Sequence, residues 1–508
     1  MRIYLCAFIT VFTLNGLFTL DFSYHKYEEL TNILKKFSQS YPKLSPSLKS
    51  IGNSKEGRRL WVLELTAVNR SAVGVPNVKL IGNIHGNEAV GRELLLHLIE
   101  YLGENYESDP TVTWIMKNTR IYILPSMNPD GFEKASEGMC VGEHGRCNVR
   151  NMDLNRNFPD FYVENMYPTQ PESDAIQRWM DKIPFILSAS LHGGALVANY
   201  PFDTVKELKW EKLLRELSET DDPLEQERLR YLYIASLPTN PPSISADDDV
   251  FVDLAKVYAN RHPKMHLGLA CPDGGKNFTG GITNGAAWYP FQGGMQDFNY
   301  FKHGCMELTL EISCCKYPSA KELPHLWEDN REALIEYITQ AHRGVRGTIY
   351  DSRNQKPIAK ARLKVIGREM TFNSSKLGEF WRILLPGKYR LEITATGYHS
   401  NIVPFEVIDH KNALPQPTVL SIPLYHSSLP KPTPPPTKPT TLFPPHFFTS
   451  THPLLPAQDI KNYSKDIRSQ NIYDDPVTLP RRNSINSVSM TIANAWVIYT
   501  LVILMVMS

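Results

Sequence analysis

Along the first two thirds of the chain, apolar residues recur in two alternating rhythms. In YHKYEELTNILKKF (24–37), Tyr27, Leu30, Ile33, Leu34 and Phe37 fall at helical spacing. RLWVLEL (59–65), NVKLIGNI (77–84), RIYILPS (120–126) and FILSASL (185–191) are short apolar runs bounded by turn residues, the pattern of buried strands. GRELLLHLIEYL (91–102) and DVFVDLAKVYANR (249–261) return to the helical period between them. This alternation predicts an α/β domain over residues 21–343, with a mixed central sheet flanked by helices. Segment 204–246 interrupts it: charge-rich and closing on PTNPPS, it reads as a surface insertion with one helix. After HRGVRGTIYD the period shortens to two through KARLKVIG, GEFWRILLPGKYRLEITATGY and NIVPFEV. Residues 344–425 are therefore expected to form a small all-β sandwich.

Both ends look like sorting signals. Residues 1–20 combine a basic second position with an apolar run, as an export signal does. Residues 426–490 hold a Pro/Thr-rich stalk, SSLPKPTPPPTKPTTLFPP, that should stay extended. The tail 491–508 is apolar, has no basic residue after it, and follows the small polar residues of RRNSINSVS. That order suits a glycosylphosphatidylinositol signal, with a spanning helix as the alternative. Either way the protein is expected on the extracellular face of the plasma membrane. Besides Cys6 there are six cysteines (140, 147, 271, 305, 314 and 315), an even number that suits disulfides in an exported chain. Asn69, Asn277, Asn373 and Asn462 open glycosylation sequons. Over 508 residues the formal charge is +1, and no basic run with interleaved aromatics gives nucleic acid a surface.

Candidate chemistry starts in NIHGNEAVGRE (83–93). His85 and Glu88 follow a predicted strand and precede a helix, the end of an α/β sheet where sites form. Two His and one Glu are a ligand set of catalytic zinc, which leaves a position open. His192, at the end of FILSASLH and before two glycines, is placed to be the third ligand. Gly86 and Gly91 read as room for water and substrate. His97, His144 and His303 read as ordinary core or surface residues. In CMELTLEIS, Glu307, Thr309 and Glu311 share one strand face, opposite Met306, Leu308, Leu310 and Ile312. Either glutamate could serve as a base, and spacing does not say which; a solvent-facing edge strand is the plainer reading. DLNRNFPD brings Asp153, Arg156 and Asp160 together, with Arg146 just upstream. Arg suits a carboxylate because its planar fork bonds both oxygens.

The stretches HGNEAVGRELLLHL, PSMNPDGFE, DLNRNFPD, LHGGALVANYPFD, WYPFQGGMQDFNY and ELTLEISCCKYP, in this order, resemble the zinc metallocarboxypeptidases. Their closest likeness is to the regulatory branch that removes C-terminal Lys or Arg. The resemblance covers residues 22–425 and includes the transthyretin-like β-domain of that branch. It implies a monomeric exopeptidase with one Zn2+ held by His85, Glu88 and His192. Asn155 and Arg156 would bind the terminal carboxylate of a peptide or protein substrate, Arg146 would polarise the scissile carbonyl, and Tyr289 would close over the terminal residue. Glu311 would be the general base and acid. Asp203 and Gln296 would line a pocket for a basic side chain. Cys140 would pair with Cys315 and Cys271 with Cys314, leaving Cys147 and Cys305 unassigned. The chain departs from the pattern at Ala286, where an aromatic residue is usual near Tyr289, and in the insertion directly after Asp203.

Overall fold

A computed structural model describes residues 20–430 apart from 166, 208, 221, 237–239, 273, 410–412 and 429. The expected export signal, stalk and hydrophobic tail lie outside the described residues, except where they adjoin the folded body. Eight strands form the main sheet: β1 Ser47–Asn53, β2 Arg59–Leu65, β3 Asn77–Gly82, β4 Arg120–Leu124, β5 Phe185–His192, β6 Ala195–Tyr200, β7 Ile282–Asn284 and β8 Met306–Ser313. Their spatial order is β1-β2-β4-β3-β5-β8-β6-β7. The sheet is mixed: β4, β3, β5 and β8 run parallel to one another, while β1/β2, β2/β4 and β6/β8 pair antiparallel. Parallel strands need helical crossovers, so both faces become covered and the central strands β3, β5 and β8 are buried throughout.

The two faces differ in chemistry. Val78 and Leu80 on β3, Leu187, Ala189 and Leu191 on β5, and Met306, Leu308, Leu310 and Ile312 on β8 join the larger apolar core. It includes residues from the helices Val90–Glu104, Asp248–Arg261 and Leu323–Thr339. The opposite face carries a polar row set by register. Lys79 pairs with Ser188 and Ser188 with Glu307; further along, Ser190 pairs with Thr309 and His192 with Glu311. β8 is thus an interior strand between β5 and β6 rather than a solvent-facing edge.

Glu307 has an internal partner. Lys79 Nζ donates to its Oε2 at 2.6 Å with both side chains fully buried, and Asn299 Nδ2 donates to the same oxygen at 2.6 Å. A charge taken out of water persists only when paired and hydrogen-bonded. Glu307 is held that way through Oε2, while its Oε1 has no hydrogen-bond partner among the described residues.

The insertion contains two helices, Lys209–Glu219 and Pro223–Ser236, where the sequence suggested one. Thr220 and Asp222 separate them with local turn bonds, Asp222 N donating to Thr220 Oγ1 and Leu224 N to Asp222 Oδ1. The chain then returns to the body at Ser243, whose N donates to Asn284 Oδ1.

Seven further strands form the β-module: β9 Val345–Asp351, β10 Arg362–Val365, β11 Thr371–Asn373, β12 Glu379–Arg382, β13 Gly387–Thr394, β14 Asn401–Val407 and β15 Thr418–Leu424. They make two sheets, β11-β10-β13-β14 and β12-β9-β15, around Ile349, Leu363, Phe380, Leu391, Ile393 and Ile422. Alternation along β9, with every second residue buried, is the period-2 signature seen in the sequence. The module docks through charge as well as packing. Arg368 and Arg382 both bond the buried Asp247, which also accepts from Tyr300 Oη at 2.7 Å, while Ile383 enters the main core.

Replacing Lys79 by Met strands Glu307 as an unpaired buried charge. It should destabilise the fold by about 3–5 kcal/mol, and Lys79→Met combined with Glu307→Leu should recover most of that loss. Denaturant unfolding of the two variants checks this.

Candidate metal centre and substrate pocket

The loop after β3 is built around Asn83. Its φ of +61° lies in the left-handed region, which Asn tolerates better than most residues. From there Asn83 Nδ2 donates to the carbonyls of His85 (2.9 Å), Gly86 (2.9 Å) and Glu88 (3.3 Å), and Oδ1 accepts from Ser126 Oγ at 2.9 Å. One buried side chain therefore shapes the whole turn that carries His85 and Glu88. The glycines nearby serve close packing rather than open space. A Cβ on Gly86 would lie 2.2 Å from the Gly131 carbonyl carbon, and one on Gly91 would lie 2.6 Å from the Leu191 Cβ. Gly91 thus lets the helix Val90–Glu104 sit directly on β5.

His85, Glu88 and His192 are all buried, and one ligand atom from each lies within 4.8 Å of the others. His85 Nδ1 is 3.0 Å and His192 Nδ1 2.8 Å from the same oxygen, Glu88 Oε2. The far nitrogens are occupied: His85 Nε2 faces Asp153 Oδ1 at 3.1 Å, and His192 Nε2 faces Ser190 Oγ at 3.1 Å. Such outer partners orient imidazoles around a metal. Two imidazoles and a carboxylate converging in a dry site fit Zn2+ with a position left open. Burial opposes charge on Glu88, but His85 and His192 hold its pKa well below the usual carboxylate range. Burial lowers the pKa of His192, favouring the neutral ring that binds metal.

Cations hold the other Glu88 oxygen. Oε1 accepts from Lys316 Nζ at 2.8 Å and from Arg146 Nη1 at 3.2 Å. Arg146 also reaches Asp153 Oδ2 through Nε (3.1 Å) and Nη2 (2.9 Å). Asp153, seen in the sequence only as part of a charged cluster, therefore ties His85 to Arg146. Lys316 was not anticipated. Its place just after the paired cysteines is a local cue, but its contact with Glu88 depends on the sheet. Gly193 and Gly194 make room for it, since a Cβ on Gly194 would lie 3.2 Å from Lys316 Cε.

Glu311 stands beside this centre, paired in register with His192. It is buried, and its Oε2 has no hydrogen-bond partner among the described residues. Burial, followed by the charge of Glu88, raises its pKa well above the ordinary value.

The remaining candidates form a connected wall. Asn155 Oδ1 accepts from Met295 N at 2.9 Å, which orients its amide next to Gln296. The Arg156 guanidinium lies 3.5 Å from the centre of the Phe291 ring, and Phe291 stacks on Tyr289 at 5.7 Å. Tyr289 is partly exposed and also meets Trp288 at 4.9 Å. Ala286 is fully buried in the short helix Gly285–Trp288, so Trp288 and Phe291 supply the aromatic wall around Tyr289. Asp203 is buried, accepting from Asn199 Nδ2 at 3.1 Å and from Gln296 Nε2 at 3.2 Å. Gln296 Oε1 in turn accepts from Thr309 N at 2.7 Å, two residues before Glu311. Asp297 fixes the backbone here, accepting from Asp203 N and Thr204 N. Burial pushes the Asp203 carboxyl up to about 7, and burial and the Asp203 charge raise Asp297 too. No Lys or Arg pairs with Asp203 among the described residues. Asn199, Asp297 and Lys316 gave no signal in the sequence, because each acts through a partner distant along the chain.

Two disulfides close the site's outer loops, Cys140–Cys315 and Cys271–Cys314, as the resemblance implied. Cys147 and Cys305 are free thiols.

Comparison with known proteins agrees with this arrangement. Residues 30–333 match the family described as zinc carboxypeptidase, and residues 344–417 match a carboxypeptidase regulatory-like domain. Carboxypeptidase M of Mus musculus is 44% identical over 391 residues, covering 76% of this chain and 82% of that protein. The carboxypeptidase N catalytic chain of Homo sapiens is 40% identical over 419 residues, 76% of this chain and 84% of that one. Carboxypeptidase D of Homo sapiens is 44% identical over 384 residues; these span 75% of this chain but 25% of the relative's length.

Asn83→Ala removes the three bonds that shape the ligand turn. It should weaken zinc retention about 10–100-fold, as losing an outer partner of a metal site does. Competition with a chromogenic chelator measures this.

Proposed function

The chain belongs to the zinc carboxypeptidase family, and on that premise we propose that it removes C-terminal Lys or Arg from extracellular peptides and proteins. The observation that carries this reading is Asp203: a buried carboxylate linked through Gln296 to β8 two residues before Glu311, given two neutral donors and no cation among the described residues. Such a pocket favours a ligand that brings a positive charge, because an apolar end would leave the carboxylate desolvated and unpaired.

His85, Glu88 and His192 would hold Zn2+, which when bound would supply a Lewis acid for activating water and polarising a carbonyl. Glu311 takes a proton from the attacking water and delivers it to the leaving amine. Its unpartnered Oε2 is the atom available for that transfer. Arg146, held on Asp153 and reaching toward Glu88, donates to the carbonyl oxygen as negative charge develops there. Asn155 and Arg156 receive the terminal carboxylate, which restricts cleavage to the last residue. Arg156 is held over Phe291 for this. Tyr289, at the mouth, covers the bound residue and excludes water, while Gln296 aims the Asp203 carboxylate. The protein works as a monomer on the outer membrane face, attached through its tail by lipid. Among the described residues no helix is long and apolar enough to cross a membrane.

The full-length protein in detergent should release free Arg or Lys from short peptides, lose that activity to a chelator and regain it with zinc. Glu311→Gln should lower kcat by about 10²–10⁴-fold with zinc content intact. No release from either peptide class would sink the proposal. Asp203 must be ionised to hold a cation, and its raised pKa means that it gains charge as pH rises through about 7. Arg156, Glu307, Asp160 and Asp297 are the charged groups around it. KM for basic substrates should therefore fall as pH rises through that range, and Asp203→Asn should raise KM and flatten the dependence. Phosphatidylinositol-specific phospholipase should shed the protein from cells; retention would point to a spanning tail.

A further inference from the structure

Two loops that lie far apart in sequence are joined beside the site through adjacent cysteines. Cys314 and Cys315 come three and four residues after Glu311, and each is bonded to a different loop. Cys315 holds Cys140 with Cα atoms 4.1 Å apart, and Cys314 holds Cys271 at 5.6 Å. Adjacent Cα atoms are about 3.8 Å apart, so positions 140 and 271 lie within about 14 Å of each other. Both loops turn apolar side chains outward. Met139 and Val141, flanking Cys140, are 51% and 69% exposed; Leu267 and Leu269, just before Cys271, are 56% and 66% exposed. Single exposed apolar residues are common, but these four stand on two loops that the disulfides hold close together.

The loops are fastened to the site itself. Cys140 O accepts from Lys316 N at 3.2 Å, and Gly142 O accepts from Asn87 Nδ2 at 3.0 Å, next to Glu88. On the other side Lys276 Nζ donates to Trp288 O at 3.1 Å, and Phe278 meets the Trp288 ring at 5.1 Å, beside Tyr289. One loop is therefore anchored next to the metal centre and the other next to Tyr289.

We propose that this disulfide-pinned rim is a subsite for apolar side chains two to four residues before the C-terminal one. Preferred substrates would then be peptides with an apolar stretch ahead of a basic end. The proposal rests on the pocket reading above for the direction of the peptide. With the terminal carboxylate at Asn155 and Arg156 and its side chain at Asp203, the preceding residues must run outward past Glu88 and Lys316. An extended chain advances about 3.3–3.6 Å per residue, so the next three residues span a distance comparable to the gap between the loops.

The test uses full-length protein and two fluorescent pentapeptides ending in Ala-Arg, with Leu and Phe or Ser and Asn at the third and fourth positions from the end. Anisotropy on the Glu311→Gln variant measures binding, and wild-type protein measures hydrolysis. Burying two such side chains in part should favour the apolar peptide by about tenfold in Kd. Adding Val141→Ser and Leu269→Ser should reduce that preference to less than about twofold. Equal binding of the two peptides overturns the rim proposal, as does a preference that survives the Ser substitutions. Preferential binding without hydrolysis by wild type counts against the catalytic reading and leaves the rim standing; no binding of either peptide overturns both. The same Ser substitutions at Met139 and Leu267 give a second variant pair. Sedimentation in which these residues drive self-association would mark the rim as a face between copies and overturn the proposal.

Discussion

The two oxygens of Glu88 organise the centre of this protein. One faces two imidazole nitrogens, and the other is held by Lys316 and Arg146. A carboxylate this deeply buried stays ionised only if opposite charge and hydrogen bonds surround it completely. That requirement fixes four segments against one another: the turn shaped by Asn83, the end of β5, the Arg146 loop and the segment after β8. The disulfides at Cys314 and Cys315 secure the last of these to two outer loops. The same contacts that neutralise Glu88 therefore tie the His85–Glu88–His192 group to those loops.

A second buried carboxylate shows the opposite strategy. Glu307 receives Lys79 and Asn299 within the fold, so its charge is settled internally. Four residues further along the same face, Glu311 has no such cation among the described residues, although Glu307 Oε1 and Glu311 Oε2 alike lack a hydrogen-bond partner there. Asp203 resembles Glu311 more than Glu307: its donors are neutral, and its pKa is raised by burial. Buried carboxylates whose pKa is raised and that lack a cation within the fold are candidates for binding or catalysis. The β-module is fastened by a cation-paired carboxylate, with Arg368, Arg382 and Tyr300 closing around Asp247. That cluster lies at the end of the insertion, which gives the insertion a fixed root on the body.

Much of this was legible in the sequence for local reasons. Strand and helix periods are set by which positions must be buried, so β3, β4, β5 and the helix Val90–Glu104 appear in the apolar pattern directly. The period-2 alternation of β9 and of Glu307, Thr309 and Glu311 likewise needs no partner to be read. His85 and Glu88 stand out because a turn after a buried strand is short and their spacing is fixed within it. The second helix of the insertion was missed because its charge-rich surface carries little apolar period.

The sequence by itself thus determined the alternation of elements, the shift to an all-β module, and the residue types able to hold a metal and move a proton. Spacing left the two glutamates on β8 equivalent, and the tertiary structure separated them by bringing Lys79 from β3 to Glu307 through parallel register. It also decided that Gly86 and Gly91 serve close packing, and that Lys316, Asn199 and Asp297 belong to the site. The reason is the same in each case. Local pattern records whether a side chain is buried, but the charge, donor or backbone that meets it there comes from a segment tens to hundreds of residues away.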